Sequence, residues 1–253
     1  KAGQFLSVAD VRGAQALGEA ADRVADSFTD GDGRNMIFVQ PMLKDICLSG
    51  VVFTADPNTL GNYYVINYDD STGSTSSVTS GAGDVLQTYY LFHKAACGVS
   101  KLCPVIEAVR ELESLFVSTP LDVEFAVDGN GTVYILQVRP LVLRGAPADL
   151  GQQAETLGRI YQKVESGQHS KLYLHGKRTI YGVMPDWNPA EIIGVRPRPL
   201  ALSLYKRLVT DGVWAYQRNN YGYKNLRSFP LMIDFAGFPY IDTRVSFNSF
   251  IPR

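Results

Sequence analysis

Cysteine, histidine and tryptophan are all scarce in this chain, whose 253 residues hold three Cys, three His and two Trp. Cys47, Cys97 and Cys103 are odd in number and show no C-x-x-C spacing. That speaks against a disulfide framework and a zinc ribbon, and fits a reducing, cytoplasmic setting. No apolar run approaches the roughly 18 to 20 residues that cross a bilayer, and residues 1–5 have no apolar h-region. A soluble chain, neither exported nor bound to a membrane, is expected. A dominant charge sign is missing too: 24 Lys and Arg against 25 Asp and Glu leave a net −1. No global field therefore points to nucleic acid or an anionic membrane, and an anionic ligand has to be met by a local site. What is present, 45% apolar and 19% charged residues with 23 Gly and 13 Pro, is the composition of a folded globular protein of one large or two smaller domains. The lack of an initial Met and the abrupt final residues lead to the expectation that the sequence is a piece of a longer protein.

Val8, Val11, Leu17, Ala21, Val24 and Phe28 form a stripe that predicts an amphipathic helix. Runs of apolar, aromatic and β-branched residues predict strands at 35–40, 49–54, 62–68 and 86–93. Between the last two lies a Ser, Thr and Gly-rich stretch, 71–83, with the composition of a loop. Pro104 stands where a helix N1 residue would, ahead of Val105, Ile106, Val109, Leu112, Leu115 and Phe116 at helical spacing. The character of the chain changes near residue 145. Beyond it come a polar helix over 149–166, a helical pattern over 199–210, and short strands and turns after Ser228. The aromatic residues of 178–250 suit a core better than a carbohydrate-binding platform.

The most informative stretch is a hairpin of 121–127 and 133–139 about Asp128-Gly129-Asn130-Gly131. An Asn-Gly pair favours a two-residue type I′ turn, which sets Val123 against Val138, Phe125 against Leu136 and Val127 against Tyr134 on one apolar face. On the other face Glu124 then lies opposite Gln137 and Asp122 opposite Arg139. Hard oxygen ligands beside a guanidinium are what a magnesium-nucleotide site needs. The plainer reading is a solvated hairpin face with an ordinary Asp-Arg cross-strand pair; Gln137, set in a Tyr-Ile-Leu-Gln-Val run, favours the site.

These residues carry a resemblance. Residues 122–128 (DVEFAVD) followed by 134–140 (YILQVRP) resemble the end of the ATP-grasp nucleotide-binding domain of the phosphoenolpyruvate synthase and pyruvate phosphate dikinase family, which also includes rifampicin phosphotransferases. Residues 38–43 (FVQPML) resemble that family's hinge strand over the adenine, 49–57 (SGVVFTADP) its next strand and turn, and 2–5 (AGQF), followed by Ser7-Val8, the end of its phosphate loop. Four motifs in order over residues 1–142 imply an α+β fold. Residues 1–145 would be the C-terminal part of an ATP-grasp domain, an antiparallel sheet with flanking helices, and 146–253 a mixed, helix-containing linker and the start of a following domain.

The resemblance also implies roles. Glu124 and Gln137 would hold the Mg2+ that bridges the phosphates of ATP, Arg139 would contact phosphate as the catalytic cation, and Asp122 would support the site. Gln40, Met42 and Thr54 would line the nucleotide pocket, with Gly3 and Gln4 near the phosphates. The implied activity is ATP-dependent phosphorylation of a histidine in a swivelling domain, then transfer to pyruvate or another small acceptor, with no nucleic acid or membrane partner. The chain departs from the family at several points. The Lys and Arg that contact the triphosphate upstream have no counterpart, residues 69–83 lack the family's Gly-Glu pair, and His93, His169 and His175 show no phosphohistidine motif and read as structural or surface residues. The missing Glu leaves open a nucleotide-binding or structural module without chemistry.

Overall fold

The computed structural model describes residues 6–28, 35–71, 86–117, 119–183 and 185–253. The chain divides into two compact units, Lys1–Pro147 and Ala148–Arg253. No helix among the described residues is long and apolar enough to cross a membrane.

The first unit is α+β. Helix α1 (Ala14–Asp26) is followed by β1 (Ile46–Phe53), β2 (Tyr63–Asp69), β3 (Gln87–Phe92), α2 (Cys103–Leu115), β4 (Leu121–Asp128) and β5 (Val133–Pro140). The five strands form one antiparallel sheet in the order β3-β2-β1-β4-β5. Helix α2 starts with a proline in its first turn, where a missing N–H costs nothing. Its Val105, Ile106 and Val109 pack with Val52, Ile66, Val123 and Phe125 of the sheet in one buried cluster. One sheet face is thus the core, as the alternation of each strand dictates.

Two predicted elements differ. Helix α1 begins at Ala14 and leaves out Val8 and Val11, because Asp10 and Gly13 take φ of 55° and 88°, which a right-handed helix cannot contain. The strand predicted at 35–40 does not form: the segment has no regular structure, and Met36 and Phe38 are 90% and 83% exposed. Apolar, β-prone residues become a strand only beside a partner that takes their backbone groups, and no described strand lies beside this one.

The second unit contains α3 (Leu150–Gly167), β6 (Tyr181–Gly182), α4 (Pro189–Ile192), α5 (Pro199–Tyr205), α6 (Val213–Asn220), β7 (Met232–Phe235), β8 (Phe238–Asp242) and α7 (Thr243–Asn248). Asp149 caps α3 by accepting from the Gln152 amide at 2.8 Å, which satisfies one of the orphan donors of a helix start. The helix predicted over 199–210 is interrupted: α5 passes into a π-turn, Lys206–Thr210. The strands form a small sheet in the order β6-β8-β7. Trp214, Leu226, Leu231, Ile241 and Val245 make a separate core, so aromatic residues here do serve as packing. Arg244, buried beside it, donates to the carbonyls of Gly167, His169 and Gly176.

Gly50 marks the tightest approach in the first sheet. A Cβ on it would stand 2.5 Å from the Asn67 carbonyl oxygen and 2.8 Å from the Phe125 ring. The backbone of β2 cannot give way without breaking the ladder, so Gly50→Ala is expected to destabilise the first unit by about 1–3 kcal/mol. Urea unfolding followed by far-ultraviolet circular dichroism measures this; fluorescence would not, since both tryptophans, Trp187 and Trp214, lie in the second unit.

Candidate functional site

The hairpin of β4 and β5 turns differently from the Asn-Gly expectation. Asp128 Oδ1 accepts from the amides of Asn130 and Thr132, each at 2.9 Å. The Asp128 carbonyl accepts from Gly131 N at 3.0 Å, and only Gly131 of the four turn residues has a positive φ, 84°. An Asp that closes its own backbone turn competes with a two-residue type I′ turn, and a three-residue loop with a left-handed glycine results. Val127 therefore pairs with Val133 and Phe125 with Ile135, not with Tyr134 and Leu136. A bulge between Glu124 and Phe125 then restores the offset, so that Glu124 does lie opposite Gln137 and Asp122 opposite Arg139. The extra residue of a bulge shifts register by one, and here it cancels the shift made by the turn.

Asp122, Glu124 and Ala126 point away from the α2 core, on the second face of the sheet. Register across β1 and β2 places Phe53 and Val65 beside Asp122, Val51 and Asn67 beside Glu124, and Ser49 and Asp69 beside Ala126. β4 is an inner strand, so the carboxylates are half withdrawn from water: Asp122 is 8% exposed, and 19% of the Glu124 side chain is exposed. Arg139 answers both. Its Nε donates to Asp122 Oδ2 at 2.7 Å, and its Nη2 lies 3.6 Å from Glu124 Oε1. The remaining oxygen of Asp122, Oδ1, is buried and receives no hydrogen bond from any described residue, an arrangement that costs free energy unless a cation or donor fills it. Burial is also the main reason that the Glu124 carboxyl titrates above the ordinary range; Arg139 pulls it down and Asp122 pushes it further up.

The other predicted site residues lie as follows. Gln137 is exposed on β5, an edge strand. Thr54 is buried, and its hydroxyl accepts from the Leu121 amide at 2.8 Å, which ties the end of β1 to the start of β4. Gln40 and Met42 are exposed on the irregular segment before β1. Gly3 and Gln4 lie outside the described residues. His93 is structural: its Nε2 faces the Thr54 carbonyl at 2.9 Å and its ring stacks on Tyr64 at 4.2 Å between centroids. Sequence reading passed over Asn67, which shares the carboxylate face and lies two strands, about 10 Å, from Glu124. Its signal was available: Tyr63, Val65, Asn67 and Asp69 alternate with the core residues Tyr64, Ile66 and Tyr68.

The second unit carries two open clefts of about 560 and 330 Å³, which share Tyr173 and Asn225 and are lined by Lys171, Lys224 and Arg253 with no Asp or Glu among their lining residues. Comparison with protein-family models and with curated proteins finds no match for this chain.

A carboxyl whose native value is raised holds extra protons in the folded state. Stability from this group is therefore present at low pH and is lost as pH rises through the interval between the ordinary glutamate value and the raised one. Glu124→Gln is expected to match the native chain at pH 4 and to melt at a higher temperature than it at pH 8, in thermal scans without added metal.

Proposed function

We propose that the first unit carries the metal- and phosphate-binding part of a nucleotide site, and that the chain belongs to an ATP-dependent phosphotransferase of the phosphoenolpyruvate synthase and pyruvate phosphate dikinase kind. The observation that carries this reading is the union, on one sheet face, of two carboxylates withdrawn from water, an Asp122 oxygen with no donor among the described residues and an arginine that pairs with both carboxylates. Arg139 uses Nε on Asp122 and places Nη2 3.6 Å from Glu124 Oε1, while its Nη1 makes no hydrogen bond among the described residues. A guanidinium held at its stem, with N–H groups left to donate, is suited to phosphate oxygens.

Glu124 and Gln137, opposite each other across the hairpin, would hold Mg2+ through oxygen, and the donor set is of the hard kind that ion takes. The ion would supply neutralisation of the triphosphate and of charge that develops on transfer. Asp122 fixes the guanidinium, and Arg139 balances the carboxylates and offers N–H groups to the phosphate. The phosphoryl group would pass to a histidine of a swivelling domain and then to pyruvate or another small acceptor. The Ser and Thr-rich stretch 71–83, which contains no Glu, favours a second reading, in which the unit binds nucleotide without transferring a phosphoryl group.

Calorimetric titration of ATP into the protein that contains this chain tests both. Binding is expected to require Mg2+, to weaken at least tenfold, about 1.4 kcal/mol, in Glu124→Ala and in Arg139→Ala, and to weaken as pH falls through the raised Glu124 value, since metal and proton compete for that carboxylate. Acid-labile phosphohistidine on incubation with labelled ATP supports the enzyme; binding without it supports the module. A folded protein that binds no Mg-ATP overturns both.

A further inference from the structure

The three cysteines carry chemistry that their spacing did not announce. Cys97 lies in the connection between β3 and α2, and Cys103 is the first residue of α2. Their thiols converge on one acceptor: Cys97 Sγ donates to the Val99 carbonyl at 3.4 Å and Cys103 Sγ to the same oxygen at 3.3 Å. Cys103 Sγ also stands 3.6 Å from the carbonyl of Cys97 itself. Both residues are half-buried, and neither is in a disulfide. Cys47 is apart from them: it is exposed and bonds to the Asp128 carbonyl at the hairpin turn. From two thiols on one carbonyl oxygen, six residues apart in the chain, we infer that Cys97 and Cys103 are an oxidative modification site, a dithiol that closes to an intramolecular disulfide by exchange with a small-molecule disulfide such as oxidised glutathione.

The exchange balances in two steps. One thiolate of the pair attacks a sulfur of the small disulfide, forming a mixed disulfide and expelling one small thiolate, which takes up a proton. The second protein thiol loses its proton and attacks the mixed disulfide, forming the Cys97–Cys103 bond and expelling the second small thiol. Two protein thiols are oxidised by two electrons, and one small disulfide is reduced to two thiols. Cys103 titrates above the ordinary thiol range, first because of its contact with the Cys97 thiol and then because of burial. Little of it is thiolate at neutral pH, so Cys103 is a slow attacking group and a poor peroxide sensor.

The closed ring would contain Lys101, which forms an ion pair with Asp70 just past the end of β2 and lies over the Tyr68 ring, and Leu102, which is fully buried. Oxidation would thereby pin the connection in the position from which Leu102 enters the core and Lys101 holds the end of β2. The unfolded chain would be constrained more than the native one, which stabilises the fold.

The test incubates the native protein in glutathione buffers of rising oxidised fraction, quenches with acid, alkylates after denaturation and reads intact mass and peptide maps. The reduced protein should take three alkyl groups; the oxidised one should take none on Cys97 or Cys103 and should yield a Cys97–Cys103 cross-linked peptide, while the exposed Cys47 takes an alkyl group or carries one glutathione. The rate should rise with pH, and the first unit should melt at a higher temperature when oxidised. Cys47→Ser should retain the intramolecular bond, and Cys103→Ser should stop at a mixed disulfide. Three reactive thiols at every buffer ratio, a bond that forms only after denaturation, or a lowered melting temperature on closure would overturn the inference.

Discussion

The first unit depends on β4 being an inner strand of its sheet. An inner strand gives up both edges to hydrogen bonding, so its Asp122 and Glu124 cannot turn to water as residues of an edge strand can. Their charge has to be met on the same face, and Arg139, held opposite Asp122 by the β4–β5 register, meets it. The balance is incomplete: two carboxylates share one guanidinium, and one oxygen of Asp122 has no donor among the described residues. Such a deficit is poor design for a purely structural strand and suits a face that receives a cation.

The opposite face of the same strand explains why the deficit is tolerated. Val123 and Phe125 are anchored with Val52, Ile66 and the apolar side of α2, and Gly50 lets β1 and β2 close tightly over the Phe125 ring. The hydrophobic face holds the register, and the register holds the charges. His93 and Thr54 add a clamp at the end of the sheet, where the Thr54 hydroxyl and carbonyl are both engaged. A residue read from its motif as a pocket wall is thus also a tie between strands.

Most of the hairpin was legible from sequence because alternation and residue type act locally. Asp122, Glu124, Gln137 and Arg139 were placed on one face, opposed in the observed pairs. That placement came through two departures that cancel, the three-residue turn closed by Asp128 and the bulge beside Glu124. Side-chain competition for turn amides and single-residue bulges leave little mark on an alternating pattern. Residues 35–40 failed in the other direction: their composition is that of a strand, but pairing is a property of neighbours. Asn67 was overlooked although its own strand alternates cleanly, because its relation to Glu124 runs through β1 and exists only once three strands are aligned.

By itself the sequence determined most helices and strands of the first unit, that residues 128–131 turn, and which side chains alternate toward the core, since these follow from backbone preferences and periodicity within a few residues. Tertiary structure alone decided that the carboxylates sit on an inner strand and that Glu124 titrates high, that an Asp122 oxygen has no donor among the described residues, and that Cys97 and Cys103 meet at one carbonyl. Burial, desolvation and the convergence of groups from different elements arise from packing, and no local pattern encodes them.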